Sequence, residues 1–425
     1  MLKHKLLIIA LLSITLGSAA QLKPRADAFP PEEETLSPKA ITMASTVEEM
    51  ANWDRYPTYP VYLEMMQRWM DSFPTLCHVD TIGTSIQGRL ILSMYIEPQT
   101  DDDLYRPEFF YSSTIHGDEV TGYVMMLRLI DTLLSSYGTS PELTSLINRT
   151  RISINPLANP DGTYRRGNNT IQGAQRYNAN YVDLNRTFPD PFGHATKNVP
   201  QENQAMIDYL TSHHFRLSAN LHGGAEVMNY PWDSYTSAEN PHPAAAWWQG
   251  VCQRFIDTCR TYSQNHFNDV IACGYIEGGD WYIIDGGRQD YVNYVHDCLE
   301  LTMEISSDKT LSSNRLPEYW RFLAPSLINY IGEIHSLPNS TGIEENEDTK
   351  LELVISPNPC TGRVTVKGLT ASETLELLDM TGRRLMKIDK REGNIENEVT
   401  LDLSELKPGL YLLHTAEKTA KIIKH

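Results

Sequence analysis

Strand-like and helix-like segments alternate along most of the chain, and this alternation restricts the fold more than any other feature. The runs RPEFFYSSTI, RISINPLANPDG, FRLSANLH and LELTMEIS are strand-like. Runs with apolar residues at helical spacing, such as EVTGYVMMLRLIDTLLSSYG and PAAAWWQGVCQRFIDTCRTY, separate them. We therefore predict an α/β domain over residues 49–337, with a mixed, mostly parallel twisted sheet and helices on both faces.

The alternation ends beyond residue 337. Residues 338–350 are acidic and polar without a hydrophobic period, which is typical of a linker. Residues 351–425 contain only short strand candidates separated by turn residues, and they predict a small all-β sandwich. Residues 21–48 are rich in Pro and Glu, and we predict a flexible leader or pro-segment there.

The first twenty residues have the three parts of a secretory signal peptide. Lys3 and Lys5 precede an apolar core, and small residues follow it up to Ala20. Residues 1–20 therefore predict export, and no later stretch has the roughly 20 apolar residues of a membrane-spanning helix. The formal net charge of −18 argues against nucleic acid or an anionic membrane as partner. Six cysteines in an exported chain lead us to expect one or two disulfides.

Histidines at two strand ends are candidate metal ligands. His116 and Glu119, in HGDE, follow a strand-like run and precede a helix, although a polar turn would show the same pattern. His222 also ends a strand and is also followed by glycine. A catalytic zinc site needs three protein ligands and an open position, so we favour His222 as the third ligand. The competing histidines are His194, His213, His214, His266 and His296, of which His213 and His214 are better explained as solvated or as partners of a helix C-terminus.

Two further clusters carry charged residues. Arg176, Asn185 and Arg186 lie in a segment with little secondary-structure signal, where they are either exposed loop residues or a clamp for an anion. Glu300 and Glu304 alternate along the last strand of the α/β domain. Glu300 is expected on a solvated polar face. Glu304 ends the strand at the edge where the metal ligands would lie, and it is a candidate general base.

The ordered motifs HGDE, NPDG, R-x8-NR, NLHGG, NYPWD, GGRQD and LTMEIS, between about Trp53 and His335, resemble those of the zinc metallocarboxypeptidases. Within that family the chain is similar to the regulatory branch of carboxypeptidases D, E, N and M. The resemblance implies one Zn²⁺ held by His116, Glu119 and His222, and peptide or protein C-termini as substrate.

The resemblance also implies a role for each remaining site residue. Glu304 would activate the zinc-bound water and pass its proton to the leaving amine. Arg176 would polarise the scissile carbonyl and hold the oxyanion. Asn185 and Arg186 would grip the free α-carboxylate of the substrate. Tyr294 would close over the bound residue.

Specificity is implied by a smaller set of positions. Asp233, eleven residues after His222, and Gln289 would favour C-terminal Lys or Arg, although Asp233 is otherwise explained as a turn residue. Arg288 stands where the family usually has Met, and a cation near the pocket would oppose basic substrates. DYVNY has one residue more than the usual DWNY, so Tyr291 is the alternative to Tyr294.

The tail resembles the C-terminal sorting domain of bacterial type IX secretion substrates, in VISPNPCTGRVTV, LELLDMTGRRLM and LKPGLYLLH. This resemblance implies passage through the type IX secretion machinery, with the protein released or held on the outer-membrane surface of a Gram-negative bacterium. An ordinary accessory β-sandwich is the alternative.

Taken together, these features predict a secreted, monomeric zinc metallocarboxypeptidase that prefers C-terminal Lys or Arg. The alternatives are a cell-wall peptidase or acyl-amino-acid amidase on the same fold, and a catalytically inactive binding module.

Overall fold

The chain divides into two compact units, Met1–Gly342 and Ile343–His425, in a computed structural model. The structure describes residues 40–99, 105–195, 197–296, 298–338, 354–358, 360–367, 374–379, 383–389, 398–415 and 419–424. The predicted signal peptide (1–20), most of the predicted leader (21–39) and almost all of the predicted linker (339–350) lie outside these residues.

The first unit alternates strands and helices as predicted. Its strands are β1 (Met43–Ala44), β2 (Tyr56–Pro57), β3 (Cys77–Thr84), β4 (Leu90–Ile96), β5 (Glu108–Ser113), β6 (Arg151–Asn155), β7 (Phe215–His222), β8 (Ala225–Tyr230), β9 (Tyr275–Glu277) and β10 (Leu299–Ser306). Its helices are α1 (Tyr59–Ser72), α2 (Thr121–Ser136), α3 (Pro141–Arg149), α4 (Pro160–Thr163), α5 (Gln201–Ser212), α6 (Ala245–Tyr262), α7 (Gly278–Trp281), α8 (Arg288–Val295) and α9 (Leu316–Gly332). Short 3₁₀ turns occur at Glu48–Met50, Leu184–Arg186, Ser313–Arg315 and Glu333–Ser336.

Eight strands form one mixed sheet in the order β3-β4-β6-β5-β7-β10-β8-β9. The central neighbours β6-β5, β5-β7 and β7-β10, and the edge pair β8-β9, are parallel. The pairs β3-β4, β4-β6 and β10-β8 are antiparallel. The predicted fold class, a mixed and mostly parallel sheet, is confirmed.

The two faces of the central strands differ in chemistry because successive side chains point to opposite faces. On β7, Leu217, Ala219 and Leu221 belong to the larger apolar core, together with residues of α1, α2, α6 and α9. A smaller core on the other face includes residues of α5 and α8. Ser218, Asn220 and His222 alternate with the apolar set, so β7 carries a polar row that ends at its carboxyl terminus.

The second unit consists of a three-stranded and a four-stranded sheet. The strands are β11 (Val354–Ser356), β12 (Arg363–Lys367), β13 (Thr374–Leu378), β14 (Arg384–Asp389), β15 (Glu398–Asp402), β16 (Gly409–His414) and β17 (Thr419–Lys424). The sheet orders are β11-β12-β15 and β14-β13-β16-β17. One apolar cluster draws Val364 and Leu401 from the first sheet and Leu377 and Leu413 from the second. The predicted small β-sandwich is therefore confirmed.

Two expectations differ from the structure. Residues 40–48, assigned to the leader, are folded against the first unit: β1 pairs with β2, Ala44 is fully buried, and Ser313 N donates to the carbonyl of Ala40. All six cysteines lie in the described part of the chain and are free thiols, so the expected disulfides are wrong. Five of them are buried, where a free cysteine packs as a small apolar side chain. No helix among the described residues is long and apolar enough to cross a bilayer.

Candidate functional site

Two histidines and a glutamate meet at the carboxyl-terminal edge of the large sheet. His116 and Glu119 lie in the loop between β5 and α2, and His222 is the last residue of β7. His222 Nδ1 lies 3.1 Å from His116 Nδ1 and 2.8 Å from Glu119 Oε2. His116 Nδ1 lies 3.0 Å from Glu119 Oε1. All three side chains are buried, at the edge of the sheet where α/β folds usually bind ligands.

Two backbone features bring the β5–α2 loop to this cluster. Thr114, directly after β5, has a φ of +64°, which a β-branched residue adopts only when its surroundings hold it there. Its carbonyl accepts a hydrogen bond from Asn159 N, and its hydroxyl donates to the carbonyl of Pro156. At Gly117, a Cβ atom would lie 2.4 Å from the carbonyl carbon of Gly162. Glycine is required here because the two backbones cross in direct contact.

The donor set fits zinc. Zn²⁺ binds imidazole nitrogen and carboxylate oxygen at about 2.0–2.2 Å in a tetrahedral arrangement, which separates the ligand atoms by roughly 3.3 Å. The three distances above are slightly shorter, so a small outward movement of the side chains would admit the ion. Burial opposes ionisation of Glu119, but the adjacent His116 and His222 rings hold its pKa well below the ordinary value. The carboxylate is therefore the anion that a metal ligand must be.

Two residues that the sequence analysis missed contact the outer nitrogens of the histidines. Asp183 Oδ1 lies 3.2 Å from His116 Nε2, and Asn220 Nδ2 lies 2.9 Å from His222 Nε2. With a metal on Nδ1, each Nε2 carries a proton and needs an acceptor. Within the described residues no donor reaches Asn220 Oδ1. A half-turn of the Asn220 amide would place this oxygen opposite His222 Nε2, where it would accept the hydrogen bond from the Nε2 proton.

Of these two residues, only Asn220 could have been predicted from the sequence. Asn220 stands two residues before His222 on the same strand face, and that spacing was the available signal. Asp183 has no such signal, because its role appears only when the connection between α4 and α5 folds back over His116.

Glu304 lies beside His222 because β7 and β10 are parallel neighbours in which these two residues are Cα partners. Residues that pair in register on adjacent strands point to the same face of the sheet. The Glu304 side chain is buried. The candidate general base therefore shares the sheet face of the His-Glu-His cluster.

Arg176 borders the cluster from the connection between α4 and α5. Its Nη1 lies 3.3 Å from His116 Nδ1 and 3.7 Å from Glu119 Oε1, and its Nε donates to Asp183 Oδ2 at 2.8 Å. Burial opposes ionisation of Asp183, but the His116 ring and the Arg176 guanidinium hold its pKa well below the ordinary value. One ionised aspartate thus orients both a candidate ligand and a candidate oxyanion donor.

Asn185 and Arg186 follow directly in a 3₁₀ turn that Asp183 caps, with Asp183 Oδ1 accepting from Asn185 N at 2.9 Å. Asn185 is buried, and its Oδ1 accepts from the backbone N–H of Arg288 at 2.9 Å. Arg186 is half-buried, and its Nη1 donates to the Asn185 carbonyl at 2.8 Å. The two clamp candidates are thus held between Asp183 and the start of α8.

Asp233 and Gln289 are both buried and in direct contact. Gln289 Nε2 donates to Asp233 Oδ1 at 2.9 Å and lies 3.3 Å from Asn229 Oδ1. Gln289 Oε1 accepts from Thr302 N at 2.6 Å, and this backbone donor fixes which end of the amide faces the aspartate. A Cβ at Gly278 would lie 1.9 Å from Asp233 Oδ1, so the glycine makes room for the carboxylate.

Arg288 does not bring its charge into the pocket. Its side chain is fully buried, its Nη2 donates to Glu300 Oε2 at 2.8 Å, and its guanidinium lies 5.1 Å from the centre of the Phe110 ring. Glu300, expected on a solvated face, is fully buried and also accepts from Ser218 Oγ. Both expectations are wrong for one reason: α8 packs on β10 and pairs the two charges with each other.

The two candidate tyrosines occupy different environments on α8. Tyr294 is 48% exposed, and its ring lies 5.3 Å from that of Phe192 and 6.4 Å from that of Trp232. Tyr291 is buried in the smaller core against Phe188, and burial raises its pKa to about 12. Of the two, Tyr294 is the one whose side chain reaches solvent.

Other histidines have local partners. His213 directly follows α5, and its Nδ1 lies 2.9 Å from the carbonyl of Tyr209, the helix-terminal contact expected for it. His194 forms a second group with Asp190 and Asp285 whose ligand-type atoms lie within 4.8 Å of one another. This group is more exposed, and its His194–Asp285 pair at 3.2 Å ties two surface loops together.

Comparison with known proteins gives two family matches. Residues 62–326 match the family described as "Zinc carboxypeptidase", and residues 354–425 match the "Secretion system C-terminal sorting domain". The chain is 32% identical to mouse (Mus musculus) carboxypeptidase D over 292 residues, which are 66% of this chain and 21% of that protein. It is 35% identical to mouse carboxypeptidase M over 282 residues, 62% of each chain. It thus spans about a fifth of the length of carboxypeptidase D.

The fold is shared with solved structures at lower identity. Carboxypeptidase A from Helicoverpa armigera superposes with a TM-score of 0.58 at 18% identity, covering 68% of this chain and 76% of that one. The first family match covers more than half of the chain and contains every residue of the His-Glu-His cluster. The chain therefore belongs to the zinc carboxypeptidase family and carries a secretion sorting domain at its C-terminus.

Proposed function

We propose that this chain is an exported zinc-dependent carboxypeptidase that removes the C-terminal residue of peptides and proteins, with a preference for Lys or Arg. The observation that carries the proposal is the meeting of His116, Glu119 and His222 beside Arg176, on the sheet face of Glu304. One bound Zn²⁺ would polarise the scissile carbonyl and lower the pKa of water at its open position.

Glu304 is the proposed general base. As an ionised carboxylate it would take a proton from the attacking water and deliver it to the nitrogen of the leaving amine. Its pairing with His222 across β7 and β10 fixes its position by backbone register, so the base does not depend on a mobile loop. Arg176, held by Asp183, would donate hydrogen bonds to the developing oxyanion.

An exopeptidase must also recognise a free terminal carboxylate. We assign this task to Asn185 and Arg186, because a guanidinium binds a carboxylate through two parallel charge-assisted hydrogen bonds. Tyr294 would cover the bound residue from the exposed side of α8. An endopeptidase has no use for such a clamp, since the polypeptide it cleaves continues on both sides of the bond.

The proposed preference for Lys or Arg rests on Asp233. A buried carboxylate that faces a substrate pocket favours a cationic side chain, because opposite charges attract more strongly where water is excluded. A cation at Arg288 would oppose this preference if it faced the pocket, but Arg288 is buried and paired with Glu300. Gln289 adds a polar contact to the same pocket.

We also propose a path of export and a division of the chain. Residues 1–20 would be the signal peptide, 21–48 a leader whose last residues pack on the catalytic domain, and 49–337 that domain. Residues 338–350 would be a linker, and 351–425 would be read by the type IX secretion machinery of a Gram-negative bacterium. The match of residues 354–425 to a sorting domain supports this assignment.

The proposal is tested by digesting a mixed peptide pool and identifying the new C-termini by mass spectrometry. We expect loss of single C-terminal residues, Lys and Arg first, abolished by a chelator and restored by zinc. Glu304→Gln should bind one zinc per chain and lose hydrolysis, and normal turnover by this variant would refute the base.

The clamp has its own test in peptides with an amidated C-terminus. These peptides lack the anion assigned to Arg186, and we expect them to lose most of the activity. Equal rates on the amide and the acid would refute the clamp. Activity confined to cell-wall peptides or acylated amino acids would instead favour the alternative enzymes on this fold.

A further inference from the structure

The first turn of α8 contacts both the proposed carboxylate clamp and the proposed specificity pocket. Arg288, Gln289 and Asp290 are consecutive and buried. The backbone N–H of Arg288 holds Asn185 of the clamp, and the amide of Gln289 holds the carboxylate of Asp233. Of the three residues, Asp290 has no role in the function proposed so far.

The carboxylate of Asp290 accepts three hydrogen bonds, all from the segment that carries Asp233. Its Oδ1 accepts from Asp233 N at 2.8 Å, and its Oδ2 accepts from Ser234 N at 2.9 Å and from Ser234 Oγ at 2.7 Å. Ser234 Oγ also lies 3.0 Å from the carbonyl of Ile284, but its single proton is better used on the nearer, charged acceptor. Asp290 therefore determines the path of the backbone at Asp233.

Asp233 is consequently held at both ends by one turn of helix. Its backbone N–H is bound by Asp290 and its Oδ1 by Gln289, the preceding residue of α8. The carbonyl of Asp233 accepts from Ile284 N, in the loop that leads into α8. The direction of the Asp233 side chain is thus set by α8 and the loop before it.

We propose that Asp290 is a positioning residue for the specificity pocket: it directs the Asp233 carboxylate toward the basic side chain of the substrate without touching the substrate itself. This inference rests on the proposed preference for C-terminal Lys or Arg. Asp290 is chemically suited to this task, because a carboxylate has two acceptor oxygens for three converging donors and no proton of its own to oppose them.

Asp290→Asn is the isosteric test. The amide keeps one acceptor oxygen but turns an NH₂ group toward donors, so at least one hydrogen bond is lost. We expect KM for peptides ending in Lys or Arg to rise about 10- to 100-fold. Values of kcat should change by less than about threefold, and zinc content should be unchanged. Ser234→Ala removes only the Oγ donor and should shift KM in the same direction by a smaller factor, which provides a test if the first variant folds poorly.

Asp161→Asn is the matched control. Asp161 is also buried and also accepts from three groups, namely Ser85 Oγ, Gln87 N and Arg89 Nη1, but it has no contact with the pocket segment. Its substitution should lower stability without changing the ratio of kcat/KM between Arg-ending and Phe-ending peptides. An equal fall of this ratio in the control would show that general loosening of the fold suffices, and it would overturn the inference.

A crystal structure of Asp290→Asn separates this inference from the proposed function. We expect the Asp233 carboxylate to move away from Gln289 Nε2. An unmoved carboxylate refutes the positioning role whatever the specificity. A displaced carboxylate in an enzyme whose wild type does not prefer Lys or Arg would support the positioning role and refute the proposed preference.

Discussion

Gly278→Ala is the substitution that most directly tests whether Asp233 sets specificity. A Cβ at position 278 would lie 1.9 Å from Asp233 Oδ1 and 2.7 Å from Asn229 Oδ1. Contacts of real Cβ atoms are essentially never shorter than 3.0 Å, so the carboxylate must retreat by about 1 Å. Both clashing atoms are side-chain ends, and we therefore expect the fold to accommodate the methyl group while the pocket does not.

The expected loss of kcat/KM follows from the hydrogen bond between the Asp233 carboxylate and the cationic side chain of the substrate, which the displaced carboxylate would lose. A hydrogen bond to a charged group contributes about 1.5–3 kcal/mol. Its loss corresponds to a fall of roughly 10- to 150-fold in kcat/KM for peptides ending in Lys or Arg. Peptides ending in Phe do not need the carboxylate, and their kcat/KM should stay within about threefold, since a methyl group in the pocket costs them little.

The assay compares kcat/KM on paired peptides that differ only in the last residue. Gly332→Ala is the control, because position 332 is also helical and a Cβ there would meet nothing within 4 Å. If Gly278→Ala keeps the wild-type ratio of Arg-ending to Phe-ending rates while a crystal structure shows the carboxylate displaced, Asp233 is not the specificity determinant.

Three further predictions concern the candidate metal site, the response to acid and the buried ion pair. Asp183→Asn should weaken zinc binding about 10- to 100-fold, measured by competition with a chromophoric chelator, because it weakens the acceptor of His116 Nε2. Burial lowers the pKa of the His242 side chain to about 4 in the folded protein, whereas in the unfolded chain it is about 6.5. Stability is therefore highest above pH 6.5 and falls as pH drops toward 4, because over that range only the unfolded chain binds the proton. Relative to His242→Gln, the wild type should lose about 3 kcal/mol of unfolding free energy over that range in urea titrations. Arg288→Met should lower the free energy of unfolding by about 3–5 kcal/mol, because it leaves Glu300 buried without its cationic partner. Adding Glu300→Leu should recover most of that loss. Equal free energies of unfolding for the single and double variants would contradict the pairing.

The sequence predicted where the strands that carry the candidate site begin and end, but it did not predict which strands pair with each other. FRLSANLH and LELTMEIS coincide with β7 and β10 residue for residue. Their parallel pairing, which places Glu304 beside His222, is not encoded in either segment. It depends on a sheet in which β10 follows β7 in space although β8 and β9 come between them in the chain, and local periodicity carries no information about such order.

Burial of charge was the main source of error. Charged residues are seldom buried unless paired, so the sequence predicts Glu300 at solvent. The resemblance to the family predicts Arg288 near the pocket. Their pairing depends on how α8 packs on β10, which the sequence pattern does not reveal. The histidines of the His-Glu-His cluster have a local signal in the sequence, since each follows a strand-like run and is itself followed by glycine.

The candidate metal site and the proposed specificity pocket are held in place by different interactions, and they should therefore respond differently to substitution. In the candidate metal half, His222 and Glu304 are fixed by the ladder between β7 and β10, whereas His116 and Glu119 are held by the backbone contacts of the β5–α2 loop. The pocket half depends on side-chain hydrogen bonds from the first turn of α8 to the segment that carries Asp233. A ladder shared by a whole sheet resists single substitutions, whereas one residue on α8 can redirect the pocket. We therefore expect substitutions in the first turn of α8 to alter the proposed side-chain preference while leaving the proposed zinc site and general base in place.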